Sequence, residues 1–289
     1  MIYDTLIGPF VEFEFMRRAL AGVLTLALGG APVGVFLMLR RMSLVGDAMA
    51  HAILPGAAIG FLLSGLNLFA MTTGGLIAGF AVAILAGLVS RTTGLKEDAS
   101  LATFYLASLA LGVSIVSIKG SNIDLLHVLF GNILAMDDAT LLMIAANATI
   151  TLIVLAVIYR PLVIESVDPL FLRTVSRAGA PAHLLFLALV VINLVNGFQA
   201  LGTLLAVGLM ILPAGIARFW ARDITGLIGM AVLSALVSGY AGLVLSFQTR
   251  LPSGPAVILV ASGLYMASVL FGSVGGLLWQ LFPGRHLEA

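Results

Sequence analysis

An aspartate and a histidine lie four residues apart in the apolar segment SLVGDAMAHAILPG, residues 43–56. In an α-helix this spacing places Asp47 and His51 on one face, one turn apart. A carboxylate oxygen and an imidazole nitrogen together suit a divalent transition metal such as Zn²⁺ or Mn²⁺. Ionisable groups in apolar surroundings usually face a pathway or a partner. Asp47 and His51 are therefore a candidate metal pair.

Pro55 follows this pair and adds a second feature. Because proline has no N–H, a helix through this segment leaves the carbonyl of His51 without its usual partner. That oxygen is then open to water, another helix or an ion, and irregular backbone is tolerated where it lines a cavity. Asp47 has a simpler alternative role, as a cap for a helix that begins near residue 45. Zn²⁺ usually takes four ligands, so other helices or water would have to supply the remainder.

Two further positions are weaker candidates. His127 follows Asp124 by three residues in the short apolar segment 121–136, which we expect to be re-entrant or interfacial. His127 is a gate or landing site for an ion on one interpretation, and an interfacial histidine on the other. Pro213 lies in MILPAGIARF, residues 210–219, which repeats the ILP of AILPGAAIGF, residues 52–61. It is a candidate second helix break beside a transport path, although chance explains so short a match equally well.

The composition predicts the elements that must position these residues. The chain is 61% hydrophobic and 9% charged, with a mean hydropathy of +1.17, whereas soluble domains carry about 25% charged residues. Apolar runs of about 20 residues recur along it, which is typical of membrane-spanning helices. We expect an all-α, polytopic transmembrane helical bundle of eight or nine spans, forming a single domain over residues 1–289. GxxxG spacings that permit close helix packing occur at Gly56/Gly60, Gly75/Gly79 and Gly272/Gly276.

The candidate spans and the basic residues between them predict the orientation. The spans are 19–39, 45–65, 68–90, 99–118, 138–159, 183–196, 201–220, 225–246 and 255–281. With the N-terminus outside and the C-terminus in the cytoplasm, most of the 14 Lys and Arg residues fall on the inside. Arg17 and Arg18 are the main exception. The expected location is a membrane, with lipid around the bundle.

Residues 160–182 form the one long inside loop of this topology. Asp168 followed by Pro169 predicts a short helix over about 169–178, with Asp168 as its N-cap. Leu170 and Phe171 would share one face of that helix, and Arg173 would lie on another. The pattern fits a helix on the membrane surface and equally a coupling helix that docks on a cytoplasmic motor subunit.

Several classes of protein are disfavoured by what the sequence lacks. It has no cysteine, which excludes disulfides and thiolate ligands. It contains no GxxxxGK[ST], HExxH or GxSxG motif, so we expect neither ATP hydrolysis nor other enzymatic activity on this chain. A net charge of +1 without a basic patch gives no indication of a nucleic-acid partner.

Four segments resemble a known family when taken together. They are LRRMSLVGDAMAHAILPGAAIGF (39–61), DLLHVLFGNILA (124–135), GTLLAVGLMILPAGIARFWA (202–221) and LPSGPAVILVASGLYMASVLF (251–271). In this order they resemble the permease subunits of bacterial ABC importers for zinc and manganese, the ABC-3 family. The resemblance spans nearly the whole chain.

The resemblance implies a fold related to the larger ABC importer permeases, working as a homodimer. It implies a cytoplasmic ATP-binding subunit, docked on 160–182, and an extracytoplasmic metal-binding protein that delivers the ion. The family's GDxxxH segment falls on Asp47 and His51, which are expected to contact the transported zinc or manganese. No permanently bound cofactor is expected.

Two other classes remain open beside this interpretation. An ion-coupled secondary metal transporter would act without an ATPase, but such proteins often carry more intramembrane carboxylates than the single Asp47 found within a span. A membrane enzyme could use Asp47 and His51 as a base pair, but no nucleophile is arranged beside them. The identity of the metal, zinc, manganese or iron, is not determined by the ligand types.

Overall fold

The apolar runs fold as helices because, away from water, a helix satisfies every backbone N–H and C=O within one segment. The computed structural model describes residues 3, 6–65, 67–93, 95, 97–118, 136–168, 171, 172, 174, 176 and 178–278. These residues form helices and connecting turns, with no strand among them, as the composition predicts. His127, Leu170 and Arg173 lie outside the described residues.

The described helices are numbered here in chain order. They are α1 (Gly8–Glu12), α2 (Glu14–Leu39), α3 (Val45–Ala52), α4 (Leu54–Ser64), α5 (Leu68–Thr93), α6 (Glu97–Ile118), α7 (Asp138–Val167), α8 (Gly179–Leu201), α9 (Thr203–Ala217), α10 (Ile224–Thr249) and α11 (Ser253–Phe271).

Within the described ranges, eight helical stretches are long and apolar enough to cross a membrane, with Val45–Ser64 counted as one. The span predicted at 201–220 is shorter than expected, because α9 has 15 residues. At 1.5 Å per residue it is about 22 Å long, less than a hydrocarbon core of about 30 Å. The span predicted at 255–281 is also too long, since α11 ends at Phe271 and Gly272 begins a turn.

The helix α2 lies at the centre of the bundle. It packs against α7, α9 and α10, and 72% of its apolar stretch is buried inside the protein. By contrast, only 17% of the apolar stretch of α6 is buried inside the protein, so α6 is peripheral. Gly34 lets α2 approach α9 closely, because a methyl group there would overlap the carbonyl oxygen of Met210.

Two of the GxxxG segments pack as their spacing predicts. A methyl group on Gly56 would overlap the carbonyl oxygen of Gly74, and one on Gly60 would overlap that of Ala70, so α4 and α5 meet backbone to backbone. Gly75 and Gly79 of α5 face Ile53 and Val191 at similarly short range. The third segment, Gly272/Gly276, lies beyond α11, where its backbone groups contact each other in a turn.

A tight turn joins α2 to α3 and sets the direction of α3. Arg40 ends α2, and Arg41 adopts a left-handed conformation with φ 59°. The Met42 N–H then donates to the Leu37 carbonyl at 2.8 Å, which reverses the chain toward α3. This turn determines where the first residues of α3 lie.

Candidate metal-transport site

Asp47 and His51 lie on one face of α3, as their spacing predicts. His51 Nε2 is 3.8 Å from Asp47 Oδ1. The Asp47 side chain is 66% exposed and that of His51 is 31% exposed. The helix begins at Val45 without a side-chain hydrogen bond at its cap residue Leu44. The geometry is that of two accessible ligand atoms one turn apart.

Two cavities meet at Asp47. The larger, of about 390 Å³, is lined by Asp47 and His51 together with Thr203, Val207 and Gly208 of α9. The smaller has a volume of about 150 Å³. Asp47 shares the smaller cavity with Asp98 and Tyr105 of α6. Asp47 is therefore reached from both sides of α3.

The helix break near Pro55 falls at Ile53, between α3 and α4. Pro55 is then an early residue of α4, where its missing N–H is harmless. The carbonyl that takes an outside partner is that of Ala52, which accepts a hydrogen bond of 2.8 Å from Ser108 Oγ of α6. The prediction concerned the preceding carbonyl, that of His51, for which Pro55 has no N–H to donate.

The helix α6 supports this break over two turns. The ring of Tyr105 stacks on that of His51, with centroids 6.4 Å apart and planes inclined by 29°. Gly112 lies where a methyl group would come within 3.0 Å of the Pro55 nitrogen. The sequence interpretation missed Tyr105 and Ser108. Their spacing with Gly112, at i, i+3 and i+7 of one helical face, is the signal that could have identified them.

Pro213 does not break its helix, contrary to the prediction. The helix α9 continues through it from Thr203 to Ala217. A proline removes one intrahelical hydrogen bond, and close neighbours can stabilise the helix around it. Here Ser234 Oγ of α10 lies 3.5 Å from the Pro213 carbonyl oxygen.

The described residues contain no group of three or more His, Asp, Glu or Cys side chains placed to hold a metal ion. Within them, Asp47 and His51 supply two ligand atoms of the predicted kind.

The predicted loop 160–182 is largely helical at its ends. The helix α7 continues to Val167, so residues 160–167 are helical, whereas the sequence predicted a loop there. The next helix, α8, begins at Gly179. The Asp168 side chain accepts a hydrogen bond of 2.9 Å from the Phe171 N–H, as the N-cap prediction requires. Phe171 is 54% exposed, whereas Leu172 is buried.

The opposite end of α7 carries a side-chain cap. Asp137 precedes α7, and its carboxylate accepts the Thr140 N–H at 2.9 Å. Hydrogen bonds from the side chain and the backbone of Thr140 hold the pKa of Asp137 below its ordinary value of 3.8.

Comparison with known proteins places this architecture in a family. The model of the ABC 3 transport family matches residues 12–272. The manganese transport system membrane protein MntC of Listeria monocytogenes is 32% identical over 270 residues, which cover 93% of this chain and 95% of that protein. The zinc transport system membrane protein TroC of Treponema pallidum is 32% identical over 280 residues, 94% of each chain.

A solved structure agrees with the fold. PsaBC from Streptococcus pneumoniae in complex with a Fab contains a chain that superposes with a TM-score of 0.83 at 28% identity. The superposition covers 97% of this chain and 100% of that chain. The match of 12–272 confirms the resemblance of the four sequence segments, and the chain belongs to the ABC-3 transport family.

Proposed function

We propose that this protein is the membrane permease subunit of an ATP-driven importer for a divalent transition metal, manganese or zinc. The observation that carries the proposal is the Asp47–His51 pair, accessible from a cavity of about 390 Å³, in a chain of this family. The relatives named above are manganese and zinc transport system proteins, which supports the same substrate class.

The chemistry of the pair suits a transported cation. An ionised Asp47 with a neutral His51 carries one negative charge, so a divalent ion leaves the site with a net charge of +1. Two ligands bind such an ion loosely, and water or a second copy of the chain supplies the rest. The exposed face of Asp47 makes a contribution from a second copy feasible.

The proposed orientation in the membrane follows from the basic residues. With the N-terminus outside, Arg40 and Arg41 lie at the cytoplasmic side, as does the segment that Asp168 caps. In this scheme an extracytoplasmic protein delivers the metal, and the exposed Phe171 is part of the surface that docks on a separate ATP-binding subunit. Closure of that subunit alternates the access of the metal path.

Tracer uptake of manganese and of zinc tests the proposal. Cells without their own importers would express this chain with its ATP-binding subunit and metal-binding protein. We expect Asp47→Ala and His51→Ala each to lower uptake by at least about tenfold, because loss of even an outer-shell partner costs a metal site that much. Asp138→Asn is the control, since this carboxylate lies at the far end of α7 and pairs with Arg18.

The amount of chain in the membrane is measured for every variant. Wild-type uptake of one metal, lost in both site variants and retained in Asp138→Asn, supports the proposal. Uptake that survives replacement of both Asp47 and His51 contradicts it.

A further inference from the structure

Three helix ends meet at a buried charged group outside the metal site. Arg40 is the residue that follows α2, and its Nη2 lies 2.7 Å from Glu165 Oε2 of α7. Arg40 Nη1 lies 2.9 Å from His183 Nδ1 of α8. Its guanidinium carbon is also 5.3 Å from the centroid of the Phe186 ring. We call Arg40, Glu165 and His183 the Arg40 cluster.

The contact with His183 has one possible direction. An arginine side chain only donates hydrogen bonds, so Arg40 is the donor and Nδ1 of His183 is the acceptor. Arg40 therefore contacts a carboxylate on α7 and a ring nitrogen on α8.

The ion pair is enclosed but imperfectly aligned. The side chains of Arg40 and Glu165 are 9% and 18% exposed. Although Oε2 lies 2.7 Å from Nη2, no N–H points at it, and it has no aligned hydrogen bond among the described residues. Apolar side chains of similar volume often stabilise such a position as well as a buried ion pair does. Stability alone therefore does not account for the cluster.

The positions of its members along the chain suggest another role. Glu165 lies three residues before Asp168, which begins the segment 168–178, and His183 lies four residues after Gly179, where that segment ends. Arg40 therefore holds both flanks of the segment. Leu172, within the segment, is buried, and a methyl group on Gly179 would lie 3.1 Å from Leu172 Cδ2. Movement of the segment cannot leave Arg40 undisturbed.

Arg40 also lies at the entrance to the metal helix. Only the turn of residues 41–44 separates it from Val45, the first residue of α3. That turn is constrained by the left-handed Arg41 and by the hydrogen bond from Met42 to Leu37. A constrained turn of four residues thus separates Arg40 from α3, whose first turn contains Asp47.

We propose that the Arg40 cluster links segment 168–178 to α3, and that its members are positioning residues for the coupling of ATP hydrolysis to metal movement. This inference rests on the proposed function, because it assigns the segment to an ATP-binding partner. Coupling of this kind passes through contiguous groups whose arrangement both sites affect.

The test uses vesicles that contain the whole importer, assembled with its ATP-binding subunit and supplied with its metal-binding protein. The measured quantity is metal transported per ATP hydrolysed, at equal amounts of assembled complex. We expect Glu165→Gln and Arg40→Lys to lower this ratio by about tenfold while ATP hydrolysis continues. His183→Asn should stay closer to wild type, because the amide oxygen can still accept from Arg40.

Two further variants separate coupling from a structural role. Arg222→Lys is the matched control, since Arg222 is exposed in the turn before α10 and lies outside the cluster and the turn of residues 41–44, and it should retain the wild-type ratio. The double variant Arg40→Met with Glu165→Leu restores an apolar contact, and we expect it to assemble and remain uncoupled. A wild-type ratio in this double variant would overturn the inference, because the cluster would then only fasten the helices together. If wild type hydrolyses ATP and moves no metal, the proposed function fails instead, and the inference fails with it.

Discussion

Two groups of polar side chains interrupt the apolar bundle, and they are built differently. Asn147, Thr151 and Asn193 are at most 4% exposed and join α7 to α8. Asn193 Nδ2 donates to Thr151 Oγ1 and to the Leu189 carbonyl, both at 2.8 Å. Asn147 Nδ2 donates to Asn193 Oδ1 at 3.3 Å. We call these three side chains the asparagine network.

The candidate metal-transport site has the opposite character. Asp47 and His51 are ionisable, partly exposed and 3.8 Å apart, and each lines a cavity. Neutral groups that bond across helices stabilise a membrane bundle, whereas ionisable groups kept accessible and loosely paired are typical of a transport path. The comparison teaches that access and pairing, rather than polarity alone, distinguish a site from a structural contact.

The largest expected effect on stability is in the asparagine network. Asn193→Ala removes two donated hydrogen bonds and the acceptor for Asn147, so we expect the free energy of unfolding to fall by about 1–3 kcal/mol. Uptake per folded molecule should stay near wild type. Denaturant unfolding in detergent, combined with tracer uptake, measures both quantities.

Asp47→Asn is the matched variant for this comparison. The Asp47 side chain is exposed, so we expect the free energy of unfolding of this variant to stay within about 0.5 kcal/mol of wild type while uptake is lost. An Asn193→Ala protein with full stability and no uptake would remove the distinction between the two regions.

A smaller effect is expected where α6 holds the helix break. Ser108→Ala loses the hydrogen bond to the Ala52 carbonyl, and we expect a loss of about 1 kcal/mol in stability. The metal concentration for half-maximal uptake should rise, because the break positions α3. Ser114→Ala is the control on the same helix, since Ser114 Oγ donates only within α6, to Ala110. Equal uptake curves for the two variants would mean that this contact does not affect the site.

The smallest effect is expected at Asp137, a cap far from the metal pair. Its folded pKa lies below the ordinary value, so its charge contributes stability above pH 3.8 and this contribution is lost as the pH falls through the lower, folded pKa. Asp137→Asn keeps the acceptor and removes the charge. We therefore expect it to be slightly less stable than wild type near neutral pH, and the difference to vanish in acid. Thermal unfolding of both proteins near neutral pH and in acid checks this. A stability difference between them that grows in acid would contradict it.

Local chemistry accounts for most of what the sequence predicted correctly. The i,i+4 spacing of Asp47 and His51 and the cap at Asp168 each depend on residues within one or two turns. Apolar runs likewise identify spanning helices, because a bilayer demands a minimum length. The close approach of Gly56 to Gly74 also follows from small side chains.

Predictions that depended on distant neighbours were less successful. The end of α7 at Val167 and the shortness of α9 were not predicted from the apolar pattern. Pro213 was predicted to break a helix that continues through it. Tyr105 and Ser108 were missed, because their spacing indicates a shared helical face but does not indicate that this face meets α3.

The sequence by itself determined a helical membrane bundle, the cap at Asp168 and a pair of candidate ligand side chains on one turn, since these depend on composition and on spacing within a helix. Only the tertiary structure decided which helices meet. It places Ser108 against Ala52, and it brings Glu165 and His183 to Arg40 from far along the chain. Such contacts depend on how whole helices pack, because the identity of a side chain specifies what it can bond and not what will stand beside it.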